Sequence, residues 1–280
     1  MSNNQIEEEI DSQIIETLDD VLEELGFDVN QQVRVLRTYD DREVITIQPN
    51  AFTISRIYAT GRPDGRRPQG FESYHSYFCE KLDAYKRQHG SDEGFSMETE
   101  EWQTLFDESY DRYIRYLLFA GIKRWVEVKQ DTDQNLGVAD MAYKYAPSEI
   151  TWQTYQYKGY ILMMNSIARA ELALQINEHE TARQEIDKGI QKIGKFCAEC
   201  LREGHDEAEN LTRERYLQNL IEFRTDLNSI TNQSELEDDE NPEEDDPEEN
   251  EIRYSGEGDE FLDELEVLLQ EDIQRKICRF

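Results

Sequence analysis

The spacing of apolar residues changes along this chain, and the changes mark out its parts. Ile10, Ile14, Leu18, Val21, Leu22 and Leu25 recur every three or four positions and end at Gly26, which predicts an amphipathic helix with a glycine stop. From Val33 to Thr60 the residues turn β-branched and aromatic: VRVLRTY, EVITIQ and AFTISRIYAT, parted by a turn at Asp40 and Asp41 and another near Pro49 and Asn50. That texture predicts a three-stranded antiparallel meander. It closes at Gly61, where GRPDGRRPQG has the Pro and Gly density of an ordered, turn-rich loop.

Helical spacing then returns and persists. Phe71, Tyr74, Phe78, Leu82 and Tyr85 form one stripe, closed by the loop from Gly90 to Gly94; Trp102, Leu105, Phe106, Tyr110, Tyr113 and Leu117 form the next. A third helix is predicted from about Arg124 to Tyr145, ending before Pro147. Ser148 is the expected N-cap of a helix reaching about Gln175. Further helices are expected from Thr181 to about Arg202, stopped by Gly204, and from Leu211 to Ile230. From Glu235 to Glu251 twelve of seventeen residues are acidic and none is basic, a composition that repels itself and buries nothing. Beyond this expected linker, Phe261, Leu262, Leu265, Leu268, Leu269 and Ile273 predict a tethered amphipathic helix over Asp259 to about Lys276. The resulting plan is a mainly α chain with a small antiparallel β meander near the N terminus. Its parts are residues 1–70 (first helix and meander), 71–231 (helical body), 232–258 (acidic linker) and 259–280 (last helix).

Charge narrows the function. Over 280 residues the formal charge is -33, and the pI is about 4.4. Phosphate neutralisation needs clustered Lys and Arg, so direct nucleic-acid binding and attachment to an anionic membrane are both disfavoured. Met1 to Asp11 lacks the basic start and apolar centre of a secretory signal. The longest apolar run, Tyr116 to Ile122, is far shorter than a membrane span. The four cysteines Cys79, Cys197, Cys200 and Cys278 do not make a disulfide framework, and the expected location is the cytoplasm.

Candidate chemistry is sparse. Cys197, Cys200 and His205 form C-x2-C-x4-H, which could begin a zinc site; the competing reading, adopted here, is that the two thiols are buried in a helix beside Phe196. GIQKIGK, Gly189 to Lys195, meets seven positions of a phosphate-binding loop but has Phe196 where Ser or Thr must hold magnesium. His75, His89, His179 and His205 have no nucleophile motif nearby. No cofactor, metal or catalytic constellation is expected. Arg62, Arg66 and Arg67 make a basic knot that could hold a phosphate or a partner's carboxylate, or could pair with the protein's own acidic helices. Tyrosines at 110, 113 and 116, and at 155, 157 and 160, suggest an aromatic groove, against the alternative of packing between hairpins.

Small residues at Ala170, Ala182 and Gly189, around a short turn at Asn177 to Glu180, resemble a tetratricopeptide (TPR) hairpin; a poorer match surrounds Trp125. The stretches GRPDGRRPQGFESYHSYF, DEGF, ARAELAL and IDKGI resemble bacterial UVR-motif-containing proteins, in which a β element and a TPR-like body precede the helical hairpin shared by the excision-repair subunits UvrB and UvrC. Glu271 and Asp272 fit that motif, but Ile273, Lys276 and Ile277 depart from it, so it reads as degenerate or truncated. The helical-hairpin pattern together with the tethered apolar helix gives the expected function, a non-enzymatic adaptor with a protein partner and with homo-oligomerisation open. Candidate contacts are Arg62, Arg66, Arg67, Tyr110, Tyr113 and Trp125 on the body, and Phe261, Leu265, Leu268 and Leu269 on the last helix. The alternative is an acidic DNA mimic that regulates a nucleic-acid-binding protein.

Overall fold

The computed structural model describes residues 33–50 and 53–237. The chain is mainly helical with one small antiparallel sheet near its N terminus, and it divides into two compact units at Thr60/Gly61. The helices expected over 10–25 and 259–276 lie outside the described residues, as does the acidic stretch after Glu237.

The first unit holds strands β1 (Val33–Arg37), β2 (Glu43–Asn50) and β3 (Thr53–Tyr58), in the order β1-β2-β3. Val35 faces Ile45, and Ile45 faces Ile57, so one register carries the β-branched residues across all three strands. Asp41 closes the first turn at φ +59, a left-handed conformation that Asp tolerates, and donates its N–H to Thr38 O at 2.9 Å. The pairing of β2 with β3 slips between Ile47 and Asn50, where Pro49 has no N–H to give to a ladder. β2 is buried on both faces, with Val44, Ile45 and Ile47 joined by Thr46 and Gln48.

The second unit begins with the loop from Gly61 and a short 3-10 turn at Pro68–Gly70. Its helices are α1 (Tyr74–His89), α2 (Thr99–Gly121), α3 (Trp125–Tyr145), α4 (Ser148–Tyr155), α5 (Lys158–Leu174), α6 (His179–Glu203), α7 (Asp206–Leu211) and α8 (Gln218–Glu237), with a π-helical stretch at Thr212–Leu217 between the last two. Ser73 caps α1 by accepting from Ser76 N at 2.9 Å, and Gly90 ends it at φ +80. Gly204, as its position predicts, ends α6 in the left-handed region. Phe78, Leu82, Phe95, Met97, Trp102, Leu105, Val138 and Met141 form a core shared by α1, the Gly90–Met97 loop, α2 and α3.

Three sequence-based expectations are corrected. Ser148 is the first residue of α4, and Pro147 takes the cap position. The single helix expected over 148–175 is two helices that meet at Gln156 and Tyr157. The helix expected over 211–230 is a π-helical stretch followed by α8, which continues to Glu237.

α5 and α6 pack as a hairpin, with α8 against α6. Gly189 is what lets them close: a Cβ there would stand 2.2 Å from Ser166 Oγ and 3.0 Å from Leu220 Cδ1. The same residue lies mid-helix in α6, which removes the phosphate-loop reading of GIQKIGK.

Candidate functional site

α2 is the helix on which the polar features converge. Glu108, Arg112 and Arg115 recur on it at spacings of four and three and are all buried. Asp131 of α3 receives both arginines: Arg115 reaches it through Nε at 2.7 Å and Nη2 at 2.6 Å, and Arg112 through Nη1 at 3.1 Å. Arg112 Nη2 also donates to Glu108 at 3.2 Å. The second Glu108 oxygen accepts from the Tyr74 backbone N–H at 2.8 Å and from Arg62 Nη1 at 3.0 Å. Charges taken out of water survive only when such geometry and added hydrogen bonds offset their desolvation. A further polar link joins α3 to α5, where Asn165 Nδ2 donates to Thr132 Oγ1 at 2.9 Å and to Asp133 at 2.8 Å.

This cluster settles where the basic knot goes. Arg62 is turned inward, bonded to Glu108 and Asp64, with its guanidinium 4.5 Å over the Tyr74 ring. It is held by the protein itself. Arg66 and Arg67 point outward, their side chains 87% and 68% exposed, with Asp64 and Glu72 beside them at 4.0 and 3.4 Å.

Between the charged positions of α2 sit its tyrosines. Tyr110 lies 6.0 Å from Tyr113; Tyr113 meets Tyr116 at 5.5 Å and Tyr160 of α5 at 5.9 Å, both edge-on. Tyr160 in turn meets Tyr216 of the π-helical stretch at 5.3 Å. Five rings thus run across three elements. Tyr116 is their floor, fully buried, with no protein partner for its hydroxyl; Tyr110, Tyr113, Tyr160 and Tyr216 are half-buried. Burial pushes the Tyr116 phenol well above its ordinary range, helped by the neighbouring phenols and by the Asp131 carboxylate. Gly159 brings the last wall in, since a Cβ there would lie 2.6 Å from Thr212 Oγ1. Without that clearance α5 and the π-helical stretch could not place Tyr160 against Tyr216.

No protein-family model, curated protein or solved structure matches the chain.

Of the two tyrosine groups singled out in the sequence, the structure gathers 110, 113, 116 and 160 and separates the others. Tyr155 belongs to a second cluster, stacked on Tyr143 at 4.3 Å and edge-on to Trp152 and Phe196, with its hydroxyl 2.6 Å from Glu199. Tyr157 is exposed. Trp125 is half-buried at the start of α3. Phe261, Leu265, Leu268 and Leu269 lie outside the described residues. Cys197 and Cys200 are buried thiols on α6, and His205 lies tilted against the Trp152 ring. Among the described residues no three His, Cys, Asp or Glu side chains are grouped to hold a metal ion, and no helix is long and apolar enough to cross a membrane.

Sequence reasoning missed Tyr216, whose signal is the one aromatic residue of the TRERYL stretch. It also missed the contact of Cys79 Sγ with His75 Nε2 at 3.5 Å, one helical turn apart on α1. Burial raises the thiol and lowers the imidazole, the latter aided by Arg112. Both shifts hold the pair neutral, which opposes a thiolate nucleophile.

Proposed function

We propose that this chain is a non-enzymatic adaptor of the cytoplasm whose helical body binds a segment of a partner protein along the tyrosine row of α2, α5 and the π-helical stretch. The observation that carries the reading is the row itself: four half-buried tyrosines, from three elements, over a buried fifth. Tyrosine is rich in contact area and pays little conformational entropy, which is why it is over-represented where partners meet. The π-helical stretch supports the same reading, because such insertions concentrate at functional sites. The small-residue contact at Gly189 is what a TPR-like hairpin needs, and such bodies expose a face to peptides.

The DNA-mimic reading finds less support in the placement of charge. Several carboxylates on the helices are paired with cations, as in Lys129–Asp133, Glu180–Arg183 and Glu185–Lys188, which disperses their charge rather than aligning it like phosphates. The test is photo-crosslinking in the native cell, with benzoylphenylalanine in place of Tyr113 or, as an exposed control on the same helix, of Gln103. A discrete adduct at 113 that is missing at 103 supports the row as the interface. Equal labelling at both positions removes it.

A further inference from the structure

We draw no further inference here: the strongest candidate, the fully exposed ring of Tyr39 at the tip of the β1–β2 hairpin, where Thr38, Asp40, Asp41 and Arg42 are all tied into the turn, is a surface aromatic and nothing in the structure shows what covers it.

Discussion

Replacing Asp131 by alanine tests whether the buried charge cluster behaves as its geometry dictates. Asp131 receives three hydrogen bonds from two arginines, and its side chain is 4% exposed while theirs are 2% exposed. The alanine variant takes away the two-pronged partner of Arg115 and one of the two carboxylates that Arg112 holds, and leaves both guanidinium groups inside. Removing one member of a buried pair costs about 3–5 kcal/mol, because the remaining charge has lost its compensation. For a domain of this size each kcal/mol lowers Tm by about 2–4 °C, so the expected fall is roughly 6–20 °C. Urea unfolding followed by circular dichroism gives the free energy, and an unchanged slope with denaturant shows that the same surface is being exposed. Glu180→Gln, which cuts an exposed pair with Arg183 on α6, is the control and leaves the midpoint where it was. A loss below about 1 kcal/mol for Asp131→Ala would refute the reasoning, since it would mean that the arginines keep access to water.

Other consequences follow from single contacts. The Tyr116 phenol is held protonated far above the usual 10, so above pH 10 the unfolded chain releases a proton that the folded one keeps; stability therefore falls as pH rises beyond 10. Tyr116→Phe moves the alkaline unfolding onset upward and, by removing a buried hydroxyl without a partner, is neutral or stabilising by about 1 kcal/mol at pH 7; an unmoved onset counts against this. Gly189→Ala forces a Cβ to 2.6 Å from Ser166 Cβ, and the expected loss is about 1–3 kcal/mol. Ser166→Gly in the same chain recovers part of it, and strict additivity in that double-mutant cycle would show that the contact is not the cause. Asp92, bonded to Lys144 and Tyr145, has its carboxyl lowered to about 2; the contact is complete above pH 4 and is lost only as pH falls through about 2, and a carboxyl carbon titrating near 4 by NMR would contradict it.

What could be read from the sequence depended on whether a feature was local. The meander was legible because β-branched runs and the Asp40–Asp41 turn lie within a few residues of each other, and Gly90 and Gly204 announced helix ends by their own conformational preference. The break at Gln156 and Tyr157 was not legible, as no proline marks it; just beyond it Gly159 packs closely on Thr212, a contact between residues far apart in the chain. Nothing in the sequence singled out Glu108, Arg112 and Arg115. Periodicity places a residue on a face but does not say whether that face meets water or, across the interface, Asp131. The tyrosine row was half legible for the same reason: 110, 113 and 116 are neighbours on one helix, whereas 160 and 216 join them only through the fold.

The two features of α2 depend on each other. Its charges at 108, 112 and 115 and its tyrosines at 110, 113 and 116 are interleaved on one helix, so whatever fixes the rotation of the helix for one set fixes it for the other. Apolar packing tolerates small slides between helices, but a two-pronged Arg–carboxylate contact is directional and does not. Arg115 locks α2 to Asp131 of α3, Asn165 locks α3 to α5, and Gly159 sets α5 against the π-helical stretch. Those three contacts in series decide how far Tyr113 lies from Tyr160 and Tyr160 from Tyr216. The buried ions thus give the row a defined spacing, as the proposed docking of a partner segment requires.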